Sequence, residues 1–376
     1  MTAVFRSVLV FLGLKLAVLA VNVATFPVLH TELASRSTGP SGSRRSVSLL
    51  VPLRNEAHRL ADTLPGIVAQ PVDELILLDD CSTDSTAELA AALVAAHPHA
   101  RVVAGAPTPP GWAGKTWACS QLAGQANSDL LVFCDADIQL GPQAIDTIVE
   151  QMHVQQADLL SVFPHQRTGT LGEHLIVPLV DDVLLCFLPF FLLRADVPSA
   201  ATANGSVLAI DRLAYELAGG FEAVRGEVVE DVAFARLARR CGLQLGLALG
   251  GDVVSTRMYT GYRNCVVGFG RGLLTMTGGF RFPLILAAGW HLVVYTLPAL
   301  LCWRRPRWGI ALLAAVAERL IVEAKTGRRR WWQALLTPLS PVAALPIFAQ
   351  AARPTQHWKG RTYVAGRLDA DRVRAS

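Results

Sequence analysis

Charged side chains are scarce in this sequence: Asp, Glu, Lys and Arg make up 17% of 376 residues, against 52% apolar ones. That shortage argues against a freely soluble protein and for one in contact with a membrane. The charge present nearly cancels, with 34 basic and 30 acidic side chains and a net charge of +4. No basic tract with interleaved aromatics occurs on a soluble face, so nucleic acid is not an expected partner. The seven cysteines (Cys81, Cys119, Cys134, Cys186, Cys241, Cys265 and Cys302) include no CxxC pair, which argues against a zinc site. Their odd number inside apolar runs points to reduced core thiols and a cytosolic face. There is no GxxxxGK[ST] loop, and no GxGxxG follows the first strand. P-loop phosphoryl transfer and dinucleotide redox chemistry are therefore disfavoured.

Oily runs stand at both ends. Residues 7–29 are nearly all apolar, with Lys15 as the one charge. About 20 such residues suffice to cross a bilayer, and Lys15 is long enough to snorkel. Arg6 precedes the run and Arg36, Arg44 and Arg45 follow it, which places the following domain in the cytoplasm. No small-x-small cleavage site follows, so a cleaved signal peptide is disfavoured. Near the far end, residues 283–302 form a good span. Residues 308–325 are shorter and carry Glu318 and Arg319, and residues 331–352 hold three prolines, as a broken or re-entrant helix would. Arg304, Arg305 and Arg307 divide the first two segments and Arg328 to Arg330 precede the third. The two clusters cannot easily share one side if every segment spans. Two or three C-terminal membrane segments are expected, with their topology open. An oily soluble helical domain is the plainer alternative.

Between the ends the pattern alternates. "VSLLVPL", "ELILLDD", "ARVVAGA" and "SDLLVFCDAD" read as strands, and the segments between them have helical spacing, one beginning near Ser82 or Asp84 as a cap. Strands alternating with helices predict an α/β domain with a mainly parallel sheet and helices on both faces. Ligands in such sheets sit beyond the carboxyl ends of the strands. There the sequence puts Arg54, Asn55 and Glu56, then Asp79 and Asp80, then Asp135 and Asp137. One acidic strand end is often only a turn or a cap. Three along one rim are harder to dismiss.

"CDAD" puts two carboxylates one residue apart at the end of a buried strand. Mg²⁺ or Mn²⁺ is bound by such oxygens together with phosphate, and neutralises a diphosphate leaving group. "GWAGKTWA" places Lys115 just before a helix, where the helix N-terminus and the ammonium can both face phosphate. An ordinary loop with a surface lysine is the plainer reading.

"VPLRNE", "LLDDCSTDST", "CDAD" and "GEVVEDVAFARL", in this order, resemble family 2 glycosyltransferases of the GT-A fold, from about residue 47 to residue 258. "GWAGKTWA", "NGSVLAI", "RGEVVEDV", "STRMY" and "WKGRTY" make the chain similar to the membrane-bound branch containing hopanoid-associated and carotenoid (diaponeurosporenoate) glucosyltransferases. The apolar runs and the resemblance together divide the chain into an N-terminal transmembrane anchor (1–34), a linker (35–46), a GT-A domain (47–280), C-terminal membrane segments (281–353) and a polar tail (354–376). The resemblance implies that Asp80, with Asp79 beside it, holds the uracil of a UDP-sugar, that Pro52 and Glu56 line the same pocket, and that Lys115 meets the diphosphate or the donor sugar. Asp135 is expected on ribose or sugar, with Asp137, and Asp135 beside it, at the metal. Asp231 is implied as the base that deprotonates the acceptor in an inverting displacement. Glu230 is its neighbour at a helix start, where both carboxylates would also complement the helix dipole.

The QxxRW motif of many family members is missing, which argues against a processive synthase. Arg257, Arg263 and Arg271 are the candidates to serve the phosphates instead. Residues 175–194 are oily but contain Asp181, Asp182 and two prolines, so an interfacial segment near the acceptor mouth is expected, with a buried core helix as the alternative. A lipid acceptor entering from the bilayer accounts for this segment and the C-terminal oil together. His153, His165 and His174 are expected to be structural or solvated. The competing functions are a nucleotidyltransferase, which would want glycines after the first strand, and a non-enzymatic membrane protein, which would not need Asp135, Asp137 and Asp231 together.

Overall fold

The computed structural model describes residues 2–36, 45–195, 197–227, 229–276, 280–328, 330–353, 355–358, 361–364 and 367–368. Seven strands build the central sheet: β1 (Val47–Leu53), β2 (Glu74–Asp79), β3 (Ala100–Ala104), β4 (Leu130–Cys134), then, past the short β5 (Ile138–Leu140), β6 (Leu159–Phe163), and, past β7 (His165–Gln166), β8 (Val207–Asp211) and β9 (Leu245–Leu249). Their order is β3-β2-β1-β4-β8-β6-β9, with only β8 running against its neighbours. The mainly parallel sheet expected from the alternating pattern is present. β10 (Val254–Thr256) joins β5 and β7 in a small second sheet just past the rim.

Both faces of the large sheet are covered, so its strands read as continuous apolar runs. In β1, Leu49, Val51 and Leu53 point into one core with the helices Ala57–Val68, Thr86–Val94 and Ala144–Gln155. Leu50 points into the other, with the helices Gly114–Gln125 and Glu230–Arg240. The register brings Leu53 opposite Asp79, and Asp79 opposite Ala104, so the carboxyl ends of the parallel strands align on one rim. Of the two residues offered as a cap, Asp84 accepts from the Thr86 amide at 3.1 Å, while Ser82 is engaged by the Asn55 amide at 3.0 Å.

The N-terminal helix (Thr2–Thr25) is tied into this domain rather than hung from it. Leu19 and Phe26 lie in the same core as Phe133 and Phe234. Pro27 to Leu29 extend the sheet beyond β9, with Leu29 N–H donating to Leu249 O at 2.8 Å and Leu249 N–H donating to Pro27 O at 2.9 Å. The oily stretch 175–194 breaks into the helices Leu171–Ile176, Pro178–Phe187 and Phe190–Arg194. Leu184, Leu185, Cys186, Phe190 and Leu193 enter the core, whereas Val183, Phe187, Phe191 and Leu192 are exposed. One face of the stretch is therefore core, and the other is exposed apolar surface.

Among the described residues, two helices are long and apolar enough to cross a membrane, Thr2–Thr25 and Arg281–Leu301. Trp308–Lys325 follows, then a 3₁₀ turn (Trp331–Leu336) and the helix Ser340–Ala351. The tail forms three short strands, Thr355–Trp358, Arg361–Val364 and Arg367–Leu368. Lys359 and Gly360 of "WKGRTY", Val228 of "RGEVVEDV" and most of the linker lie outside the described residues.

Candidate active site

The loops after β1 and β2 lock onto each other at the rim. Asn55 takes the left-handed conformation (φ 53°), which lets its side-chain oxygen accept from the Thr83 amide at 2.8 Å. The Glu56 amide donates to Thr86 Oγ1 at 2.8 Å, and the Asp80 amide donates to Leu53 O at 2.8 Å. Arg54 reaches the Asp80 carbonyl and lies 3.5 Å from its carboxylate. Glu56 and Asp80 are buried. Asp79 accepts from the Ser82 amide at 3.3 Å through Oδ2, while its Oδ1 is buried and accepts no hydrogen bond among the described residues. A buried carboxylate oxygen of this kind suits an N–H donor from a ligand, such as a base imide. Pro52 lies in β1 one residue from its end, partly covered.

The second half of the rim is the turn after β4. The Asp135 amide donates to Ser206 O at 2.8 Å, and Ile138 N–H returns to Asp135 O at 3.1 Å. Thr256, paired with Ile138 across the small sheet, donates its hydroxyl to Asp137 O at 3.0 Å. Ala136 is buried, so the turn sends its two carboxylates outward around it. Burial, and next the charge of Asp135, push Asp137 up to about 6, with Arg59 pulling the other way. A divalent cation relieves a hard-oxygen carboxylate whose proton affinity is raised by a second carboxylate beside it, so these residues fit one. Asp137 lies 3.3 Å from Arg59, which also reaches Glu56 at 3.2 Å.

Lys115, in the first turn of its helix, gathers the other group. Its ammonium lies 2.7 Å from Asp135 Oδ1 and 3.4 Å from Glu230, and donates to Gly205 O at 3.0 Å. Burial works to lower the Lys115 pKa, but Asp135 and Glu230 outweigh it and hold it well above the lysine range. Asp231 sits on the other side of Gly205, accepting its amide at 2.7 Å and the Val232 amide at 2.8 Å. One glycine residue therefore links base candidate and cation: its N–H holds Asp231 and its carbonyl holds Lys115. A Cβ on Gly205 would come within 3.1 Å of the Asp231 Cβ and 3.3 Å of the Lys115 nitrogen. Burial pushes Glu230 up to about 7, opposed by Lys115 and assisted by Asp231. A small cavity opens between Lys115, Asp231 and the rings of Phe133 and Phe221.

The structure brings Lys115, Asp135, Glu230 and Asp231 together, and gathers Glu56, Asp79, Asp80 and Asp137 along the same rim. Arg59 and Gly205 were not singled out by the sequence. Their signals are faint: an arginine three residues after Glu56, and the glycine of "NGS" just before β8. Among the arginine candidates, Arg257 is held by the fully buried Glu173 at 2.9 and 3.0 Å, and Arg263 is exposed. The side chain of Arg271 lies outside the described residues. Glu173 also accepts from the Gly261 amide at 2.6 Å, the Gly169 amide at 2.7 Å and the Thr170 hydroxyl at 2.9 Å. Burial raises its pKa, and these donors outweigh that and bring it down to about 2. His165 lies 2.6 Å from Thr326 O and His174 2.8 Å from Thr168 Oγ1, while His153 is exposed at its helix end. These are the structural or solvated places expected of them.

A model described as glycosyl transferase family 21 matches residues 13–260. The chain is 28% identical over 233 residues to the 4,4'-diaponeurosporenoate glycosyltransferase of Staphylococcus haemolyticus (strain JCSC1435), covering 61% of each. It is 27% identical over 341 residues to the protein of the same name from Staphylococcus aureus (strain bovine RF122 / ET3-1), covering 85% of this chain and 89% of that one. The first of these alignments thus spans under two thirds of the relative's length. Among solved structures, the mannosyltransferase PcManGT from Pyrobaculum calidifontis in complex with GDP-Man and Mn2+ is similar, with a TM-score of 0.51 at 16% identity over 93% of this chain and 98% of that one. That likeness concerns the fold.

Proposed function

The chain belongs to glycosyl transferase family 21 and has the GT-A fold, and from that premise we propose that it is a membrane-bound, inverting glycosyltransferase moving a sugar, glucose, from a UDP-sugar to a hydroxyl or carboxyl of a lipid acceptor. The observation that carries this reading is the arrangement around Gly205, which places a carboxylate, Asp231, beside the cation that pairs with the strand-end Asp135. The relatives' names support a carotenoid acceptor, and GDP-Man with Mn2+ in the PcManGT complex supports a nucleotide sugar with a divalent cation.

Asp79 and Asp80 receive the base, and Pro52 and Glu56 line its pocket. Asp137, with Asp135 beside it, would hold Mg²⁺ or Mn²⁺, and that cation would supply the positive charge that neutralises a diphosphate leaving group. Lys115 sits between Asp135 and Glu230 and turns toward the donor phosphate or sugar when the donor enters. Asp231, fixed by two backbone amides, takes the proton of an acceptor hydroxyl. A carboxyl acceptor is already ionised at neutral pH and needs no base. The catalytic domain faces the cytoplasm, and the exposed apolar side chains of residues 183–192 lie against the bilayer from which the acceptor comes.

The test is UDP release from UDP-glucose by purified protein in detergent, with Mn²⁺ or Mg²⁺, against a panel of lipid extracts. Release that needs the metal and is stimulated by one lipid class is expected, and chelation should abolish it. Silence with UDP-, GDP- and dTDP-sugars from folded protein would remove the nucleotide-sugar reading.

A further inference from the structure

Three helices of this chain meet in a fixed register. Phe5 stacks edge-on against Trp308 at 5.2 Å, Lys15 bonds Glu318 at 2.9 Å, and Lys325 donates to Val23 O at 2.9 Å. Thr2–Thr25 and Trp308–Lys325 therefore run side by side in the same direction. Arg281–Leu301 runs back along them, its Tyr295 hydroxyl donating to Glu318 at 2.7 Å.

Trp308–Lys325 does not look like a membrane helix by composition, because Glu318, Arg319 and Glu323 lie within it. All three are buried. Glu318 meets Lys15 and Tyr295, while Arg319 bonds Glu323 at 2.7 Å and His174 O at 3.0 Å. The outward residues of the bundle are apolar: Val10, Leu14, Ile285, Leu300, Ile310 and Leu313 are exposed. Charges that are paired inside a bundle do not oppose lipid around it. At about 1.5 Å per residue these helices are roughly 27 to 36 Å long, close to the hydrocarbon thickness of a bilayer.

The two ends of the bundle differ. One end is built into the catalytic domain through Phe26, Leu29 and the Thr326 carbonyl. The other carries Arg6, Arg304, Arg305 and Arg307, all exposed, with Trp303 91% exposed beside them. Arg307 lies over the Phe5 ring at 5.3 Å, which ties the N-terminal helix to this cap. No acidic residue occurs between Asp252 and Glu318. Exposed arginines with an interfacial tryptophan fit phosphate headgroups and do not fit the bilayer midplane.

We infer that this bundle crosses the bilayer three times, with Trp308–Lys325 as the third crossing, and that its arginine cap and N-terminus lie in the headgroups of the leaflet opposite the catalytic domain. The inference deepens the membrane placement proposed above. Residues 331–351 do not cross. They descend until Pro338 O accepts from the Thr296 hydroxyl at 2.8 Å, then return so that Ala351 packs with Leu284 near the catalytic domain. Helix Pro178–Phe187 also dips into this layer, since Asp182 lies 2.8 Å from Lys15.

The experiment uses the full chain in bacterial spheroplasts and a membrane-impermeant maleimide. W303C and R305C are each placed in a chain whose Cys81, Cys241 and Cys302 are serine, and a chain in which only Cys302 is serine reports on Cys81 and Cys241, which are exposed on the catalytic domain. Labelling of W303C and R305C in intact spheroplasts is expected, with Cys81 and Cys241 labelled only after permeabilisation. If both introduced thiols stay silent until permeabilisation while the protein sediments with membranes, the crossing is wrong and the bundle lies in one leaflet. If alkaline carbonate strips the protein from the membranes, the membrane-bound reading falls and the crossing with it. UDP-sugar chemistry is untouched by either result.

Discussion

Lys115 and Lys15 each stand between two carboxylates. Lys115 lies 2.7 Å from Asp135 and 3.4 Å from Glu230, and Lys15 lies 2.8 Å from Asp182 and 2.9 Å from Glu318. Their surroundings separate them. The Lys115 side chain is 37% exposed and faces a cavity, whereas Lys15 is 3% exposed and also donates to Tyr295 beneath the ring of Phe187. A partly exposed cation that faces a cavity can exchange its carboxylates for an incoming phosphate. An enclosed one cannot, since leaving its partners would strand all of them in apolar surroundings. The same charge pattern serves turnover at the rim and cohesion in the bundle, and access decides which.

The largest effect that would sharpen this contrast is at the open site. Asp231→Asn keeps the size but removes the base, so transfer to a hydroxyl acceptor should fall by about 10² to 10⁴-fold, while the melting temperature should drop only by the worth of the one backbone amide bond that Asn cannot accept. With a carboxyl acceptor the same variant should lose far less. The relatives' named substrate, diaponeurosporenoate, is a carboxylate, so paired assays on an acid and an alcohol of similar length discriminate. Equal losses on both would deny Asp231 the proton-accepting role.

Next is a comparison of the two lysines. Lys15→Met leaves Asp182 and Glu318 facing each other in the bundle and should cost about 3–5 kcal/mol of stability, read as a lower melting temperature in detergent. Lys115→Met should change stability by no more than about 1 kcal/mol while lowering UDP release. If the two variants melt alike, the distinction between open and enclosed clusters is broken.

The smallest effect concerns pH. Glu173 has its folded pKa lowered to about 2, beneath its ordinary value of 4.5. A lowered carboxyl pKa contributes stability that is fully present above the unfolded value and is lost as pH falls through the folded one. The stability gap between the wild type and Glu173→Gln should therefore be constant near neutrality and shrink from about pH 5 toward pH 2. A gap that does not change with pH would mean that Glu173 is already neutral in the fold.

The sheet and its rim were legible because each buried strand is an apolar run that ends in charge: "LLVFC" before Asp135 and "LILL" before Asp79. Side chains that bridge separate elements were not. Arg59 matters because a helix turn carries it toward Asp137, and Gly205 because β8 threads its peptide between Lys115 and Asp231. Nothing in local spacing encodes either approach. Trp308–Lys325 was ambiguous for the opposite reason: its three inner charges are visible in the sequence, but the partners of Glu318 on Thr2–Thr25 and Arg281–Leu301, and the His174 carbonyl that Arg319 meets, are not. The pairing of Pro27 to Leu29 with β9 joins residues more than two hundred positions apart, beyond any reading of pattern.

That pairing bears on how the molecule can be handled. Trimming the first thirty residues to obtain a water-soluble enzyme would strip Leu19, Phe26 and Leu29 from the core and leave β9 as a bare edge. A bare edge strand recruits strands from other chains. The segment that looks most dispensable is the one that keeps this sheet from aggregating.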